Sequence, residues 1–289
     1  MDMNTNYRLY PYLIACLLLI CCSLTATAQI ILNTPYTDTR LYLGDGNKQP
    51  LIVGLGGSEG GNAWTSNHWR TVREQFLQKG YAFLAIGYFR AKNAPDTLDQ
   101  VSINAVHNAI LTATKDPHID ASRIAVIGGS RGGDLALLLA SYFKDIHCVV
   151  AVVASSVVFP GHTSHFTTPA WSYNNQPLPF VPVNEAAVPF LMKGNLRETF
   201  RTMLTDTAAA TKAAIKVEQI NGPVLFLSAT NDEFCPSTPM AESMMARLDS
   251  HHFPHPHQHI PVEGRHAAPL QQFDQVFTFL QQHFPAVSQ

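Results

Sequence analysis

The sequence predicts a doubly wound, mostly parallel α/β sheet with an irregular cap insertion, and three observations predict it. Short apolar runs alternate with helically periodic segments. One of those runs leads into a glycine-flanked serine that opens a helix, and one proline-rich stretch interrupts the alternation. Strands separated by helices require crossover connections, which yield a parallel sheet covered on both faces.

The first element is an apolar run from Leu13 to Cys22, preceded by a stretch whose only cationic side chain is Arg8 and followed by Ala26-Thr27-Ala28. The run is about half the roughly 20 residues that a spanning helix needs. Residues 1 to 28 therefore read as a secretory signal, with residues 29 to 289 forming a single exported domain, periplasmic or extracellular. A membrane anchor or a lipoprotein box at Leu13 to Cys16 fits less well, since the apolar run follows that cysteine. No stable membrane insertion is expected once the signal is removed.

Five runs then read as strands buried on both faces: Leu51 to Leu55, Tyr81 to Ile86, Arg123 to Ile127, Cys148 to Ala154 and Val224 to Ser228. Helical periodicity links Trp69, Val72 and Phe76; Leu98, Val101, Ala105 and Ala109; Leu135 to Ala140; Met240, Met244 and Leu248; and Leu270, Phe273, Phe277 and Leu280. Gly80 stands where the first of these helices needs a left-handed terminating residue. The insertion spans about 155 to 221. Its first part holds Pro160, Pro169, Pro177, Pro179, Pro182 and Pro189 among Phe166, Trp171, Tyr173 and Phe180, and a helical piece follows from Glu198 to Val217. Prolines at that density forbid regular structure, so the four aromatics are expected to form a substrate-binding cap at the carboxyl edge of the sheet.

Composition narrows the function classes. The 289 residues are 46% hydrophobic and 14% charged, with 19 Lys and Arg against 21 Asp and Glu, a net charge of -2. Such a chain folds, and its near-neutral balance gives no electrostatic footprint for nucleic acid. With the signal removed, only Cys148 and Cys235 remain. Two cysteines make neither a disulfide framework nor a zinc site, and placement at opposite ends of neighbouring strands separates them by roughly 20 Å. No cofactor is expected.

Chemistry centres on Gly128-Gly129-Ser130-Arg131-Gly132, directly between a strand and a helix. This turn lifts the serine Oγ above the sheet while the helix N-terminus points at the developing oxyanion. Serine needs a base held by a carboxylate, in the chain order serine, acid, histidine. Asp232, after the strand ending at Ser228, is the expected acid with Glu233 in reserve, and His266 is the expected base before the last helix. The oxyanion donors are expected to be the backbone amides of Gly57 or Ser58 and of Arg131, because the glycines of residues 56 to 61 allow close main-chain approach. The same loop fails as a nucleotide site: Glu59 replaces the last glycine of a G-x-G-x-x-G pattern, and Asn62 replaces the Walker lysine. A competing histidine cluster, His251, His252, His255, His257 and His259, offers H-x-H-x-H spacing that an extended strand would put on one face for zinc or copper. It has interrupting prolines, and a solvated loop is the preferred reading, with no metal site.

These motifs carry a resemblance. Residues 55 to 61, Ile127 to Leu137, Thr168 to Tyr173, Pro177 to Pro182, Asn231-Asp232-Glu233 with Pro236-Ser237, and Gly264-Arg265-His266 together resemble the C-terminal catalytic domain of the acyl-CoA thioester hydrolase and bile acid-CoA:amino acid N-acyltransferase family. The resemblance covers roughly residues 50 to 282. It implies an α/β-hydrolase fold, a triad of Ser130, Asp232 and His266, and hydrolysis or transfer of an acyl group. Animal members carry an N-terminal β-sandwich that residues 29 to 50 are too few to hold, and an exported protein would not meet coenzyme A. The expected function is therefore a secreted serine hydrolase acting on a small-molecule ester or thioester. Acyl transfer, or metal or ligand binding without catalysis, are the alternatives.

Overall fold

The computed structural model describes residues 29–286; the expected signal segment lies outside them. Its main sheet contains β1 (Gln29–Leu32), β2 (Asp38–Tyr42), β3 (Gln49–Leu55), β4 (Ala82–Gly87), β6 (Ile119–Gly129), β7 (Cys148–Val152), β10 (Val224–Ala229) and β11 (His257–Val262). A second, small sheet holds β5 (Val101–Ser102), β8 (Trp171–Tyr173) and β9 (Gln176–Pro177). The main sheet runs in the order β1-β2-β4-β3-β6-β7-β10-β11. Only the β1–β2 and β2–β4 pairings are antiparallel; the other five are parallel.

Alternation along each strand sorts side chains to two faces. Leu51, Val53, Leu84, Val126, Val149 and Phe226 share one cluster with Val106 and Ile110 of α2 (Ile103–Ala113), with α3 (Arg131–Tyr142), and with Met244 and Leu248 of α7 (Ser237–Ser250). Ile52, Phe83, Ile127, Val150 and Leu225 meet Phe76 of α1 (Arg70–Gln78) and Val276, Phe277 and Leu280 of α8 (Phe273–His283). Helix α3 is buried from Arg131 to Ser141, which explains why its stretch from Leu135 to Ala140 is apolar on every face. Gly80 does adopt the left-handed conformation, at φ +88°.

Several elements differ from expectation. The segment read as a helix from Leu98 begins with β5, and the helix starts only at Ile103, because the Ser102 side chain accepts from the Ala105 amide and caps it there. The helical piece expected from Glu198 to Val217 is broken into α5 (Leu196–Met203) and α6 (Thr207–Ala213), since Asp206 caps a new helix through the Ala209 amide. Strands β1, four residues with three apolar, and β2, with its polar residues first, are too short to stand out as apolar runs.

Between β7 and β10 the chain leaves the sheet, forms α4 (Val188–Met192), α5 and α6, and builds its own core from Val157, Phe159, Val181, Ala187, Met203 and Ala213 against Cys235 and Met240. The loops after β3, β6, β10 and β11 meet beside it at the carboxyl ends of their strands, where open parallel sheets place their ligand crevices.

Candidate active site

Ser130 joins β6 to α3 at φ 55° and ψ -124°. A non-glycine residue held there stores about 1–3 kcal/mol of strain. The surrounding backbone imposes it: the Ser130 amide donates to the Val152 carbonyl at 2.8 Å, and the Ser130 carbonyl accepts from the Gly133 and Asp134 amides at 2.8 and 3.1 Å. Ser130→Gly should therefore raise the melting temperature by a few degrees over Ser130→Ala, because the released strain exceeds the roughly 0.4–1 kcal/mol that glycine adds in unfolded-chain entropy. Paired thermal melts check this, and equal melting temperatures would show an unstrained turn.

Asp232 is 1% exposed, and both of its carboxylate oxygens lie 2.9 Å from His266 Nδ1. Its Oδ1 also accepts from the amides of Phe234 and Cys235, each at 3.0 Å. Burial pushes the Asp232 carboxyl up, but the His266 contact, a Ser237 hydroxyl and the Cys235 amide outweigh it and hold its pKa below the ordinary value. Glu233 does something different. Its Oε2 accepts from the His266 backbone amide at 2.9 Å, and its Oε1 pairs with Arg265 Nε at 3.2 Å. The reserve acid thus holds the histidine loop, and Asp232 alone faces the imidazole.

The loop after β3 lies against the serine: a Cβ built on Gly57 would stand 3.3 Å from Ser130 Cβ. Tyr88 Oη donates to the Gly56 carbonyl at 2.6 Å and fixes the start of this loop. The Gly57 amide is already engaged, donating to Glu59 Oε1 at 3.0 Å. Arg131 turns its guanidinium away, toward Asp134 at 3.4 Å and the Pro160 carbonyl at 3.0 Å. Asp134 is buried and its pKa is pushed up to about 6, despite Arg131 and the Ser155 amide, which donates to it at 2.7 Å. These contacts fasten the first residues after β7 to the helix that follows the serine.

Gly57, Ser58, Ser130, Arg131 and His266 all line one cavity of about 390 Å³, within the range of small-molecule sites. Its aromatic wall comes from Trp64 and Trp69, whose rings stand 4.6 Å apart, with Phe273 at 5.8 and 5.5 Å from them. Phe200 of α5 and Phe234, which stacks edge-on to His266 at 5.2 Å, complete the lining. The four aromatics expected there are elsewhere. Trp171 is fully buried, and Tyr173 and Phe180 pack against the same core cluster. Phe166 sits half-buried in a turn whose amide donates to the Thr163 hydroxyl. Pairing of β8 with β5 draws this segment into the sheet side, so aromatic content near prolines did not report on the cavity lining. His162, at the exposed edge of the cavity, has its pKa lowered by desolvation and by Arg131 and Arg90, and is a cavity group that no sequence motif marks.

The segment read as a solvated loop is only partly one, because pairing with β10 draws His257 and His259 into β11, and the cluster is dispersed. His259 Nε2 lies 2.7 Å from Ser228 Oγ, and His257 Nε2 lies 3.0 Å from Asp249. Among the described residues, no three His, Cys, Asp or Glu side chains are arranged to hold a metal ion. Cys148 and Cys235 are both free and buried. No helix among the described residues is long and apolar enough to cross a membrane.

Solved structures with similar folds include an esterase from Pyrococcus furiosus, Pf2001, with a TM-score of 0.60 and 16% identity over 89% of this chain and 93% of that one. A Mycobacterium tuberculosis puromycin-hydrolyzing peptidase matches at 0.58, with 16% identity over 89% of this chain and 39% of that one. At these identities the likeness shows an α/β-hydrolase fold. Among curated proteins, mouse acyl-coenzyme A amino acid N-acyltransferase 1 is 28% identical over 172 residues, 60% of this chain and 38% of that protein. Mouse mitochondrial acyl-coenzyme A thioesterase 2 is 27% identical over 175 residues, 60% and 36%. The chain thus spans less than two fifths of these relatives. A family model named BD-FAE matches residues 41–156, and the model described as BAAT / Acyl-CoA thioester hydrolase C terminal matches residues 101–269. That second match takes in more than half of the chain, including Ser130, Asp232 and His266, and on it the chain belongs to the BAAT / acyl-CoA thioester hydrolase C-terminal family.

Proposed function

We propose that the protein is an exported serine hydrolase that cleaves a small ester or thioester through an acyl-enzyme on Ser130. The observation that carries this is His266, held by the buried Asp232, lining the same cavity as a serine on a strained strand-to-helix turn. With Nδ1 committed to Asp232, Nε2 is the imidazole nitrogen that takes the Ser130 proton as Oγ attacks the carbonyl carbon. The resulting oxyanion is held by the Arg131 amide at the N-terminus of α3 and by the Ser58 amide, since Gly57 spends its own on Glu59. Collapse expels the leaving group with the proton from His266. Water, activated by the same base, then releases the acid. The apolar run from Leu13 to Cys22 supports export.

A fluorophosphonate probe tests the reading. It should label the wild-type protein at Ser130 and leave Ser130→Ala unlabelled, whereas absence of labelling on folded wild-type protein would refute the mechanism. The N-acyltransferase relative supports a second reading, transfer of the acyl group to an amine. Supplying glycine or taurine to the acylated enzyme decides between them, with free acid as the main product expected.

A further inference from the structure

The cavity holds a carboxylate that the triad does not use. Glu59 folds back on its loop so that Oε1 accepts from the Gly57 amide at 3.0 Å. Its Oε2 lies 2.9 Å from the point where a Gly57 Cβ would stand, and Ser130 Cβ lies 3.3 Å from that same point. The carboxylate and the nucleophile therefore approach one side of Gly57, within about 6 Å of each other. No lysine, arginine or histidine lies within ion-pair distance of Glu59 among the described residues. Arg90 packs its stem on Gly60 in the same loop without pairing with it, and Arg131 is spent on Asp134 and Pro160.

This placement opposes catalysis on a neutral substrate. The tetrahedral intermediate puts a negative oxygen next to the Ser58 amide, one residue from Glu59, and two like charges a few Å apart at the solvent-reached edge of the cleft repel. A substrate that brings its own cation to Glu59 removes the conflict and adds a charge-assisted hydrogen bond. Trp64, Trp69, Phe273 and Phe200 in the same lining accept an apolar side chain.

We propose that the site takes acyl groups bearing an ammonium next to the carbonyl, namely esters or amides of apolar α-amino acids, with Glu59 as the specificity-determining residue. This rests on the serine hydrolase reading above. The test compares 4-methylumbelliferyl esters of L-phenylalanine and of 3-phenylpropanoic acid, which differ in the amino group alone, at a pH where the amine is mostly protonated. The wild-type protein should favour the phenylalanine ester by at least about tenfold in kcat/KM. Glu59→Gln, which keeps an acceptor for the Gly57 amide, should collapse that preference from both sides, slowing the phenylalanine ester and speeding the des-amino one. Equal wild-type rates, a preference for the des-amino ester, or an equal loss on both esters in Glu59→Gln would overturn the proposal. Turnover of neither ester by protein that still labels at Ser130 would overturn it too, leaving the hydrolase reading intact, whereas loss of labelling removes both.

Discussion

Asp232→Asn should lower turnover of an activated ester by about 10⁴ while leaving the fold unchanged, the size of effect that the matching amide substitution has in the serine-protease template. The direction follows from which oxygen is committed. Oδ1 accepts from the Phe234 and Cys235 amides, so an asparagine must place its carbonyl oxygen there to keep both satisfied. Its NH₂ then stands at the Oδ2 position, 2.9 Å from His266 Nδ1. A donor at that point favours the tautomer with the proton on Nε2, in competition with the acceptor at the Oδ1 position, also 2.9 Å from Nδ1, and in that tautomer the imidazole cannot accept from Ser130. Ten-thousandfold corresponds to about 5.4 kcal/mol of transition-state stabilisation. Glu233→Gln should cost less than about tenfold. Its carbonyl can still accept from the His266 amide, and what it forfeits is the pair with Arg265, an exposed ion pair worth roughly 0.2–1 kcal/mol. Steady-state kinetics on both variants, with circular dichroism to confirm folding, separate the two acids. A severe loss in Glu233→Gln beside an active Asp232→Asn would transfer the acid role to residue 233.

The order of these residues along the chain was legible because each sits at the carboxyl end of a strand, two of them after a strong apolar run. Leu51 to Leu55, Arg123 to Ile127 and Val224 to Ser228 mark β3, β6 and β10 to within a few residues. The loops that leave these strands carry their polar residues within a few positions of the strand end, so Ser130 and Asp232 could be placed from spacing, and His266 from its position before the last helix. Legibility failed where burial and function use the same residue types. Trp171 and Trp64 are equally aromatic, yet Trp171 closes the small sheet while Trp64 walls the cavity. Only the pairing of β5 with β8, a contact across about 70 residues, decides which is which. Glu233 and Asp232 posed the same difficulty on a smaller scale. Adjacent carboxylates in one loop are equivalent in sequence, and the direction each side chain takes separates a partner of Nδ1 from a partner of the backbone. The engagement of Gly57 by Glu59 left a single trace in the sequence, a glutamate standing where a nucleotide-binding loop would need glycine.

The glycines of the serine turn should divide sharply under substitution by alanine. A Cβ on Gly128 would lie 1.9 Å from the Gly132 carbonyl oxygen, and one on Gly132 would lie 2.3 Å from the Gly56 carbonyl oxygen and 2.6 Å from that of Leu55. Both clashes are with backbone, which has no rotamer to change. Relief would require prying α3 away from β6 in one case and from the end of β3 in the other, where the glycine-rich loop of residues 56 to 61 begins. The cost should exceed the roughly 1–3 kcal/mol of ordinary overpacking and consume much of the roughly 5–15 kcal/mol that holds a domain folded. Gly129 stands between them, and there the nearest atom to an added Cβ is Leu270 Cδ2 at 2.9 Å, the far end of a flexible side chain. Gly128→Ala and Gly132→Ala should therefore yield little soluble protein, or melt far below the wild type. Gly129→Ala should be soluble and melt within a few degrees of it, because Leu270 can turn aside. Expression yield and calorimetry on the three variants give the answer. Near-wild-type stability in Gly132→Ala would mean that α3 does not press on the β3 loop, and with that the proposed pairing of the Ser58 and Arg131 amides would lose its rigid frame.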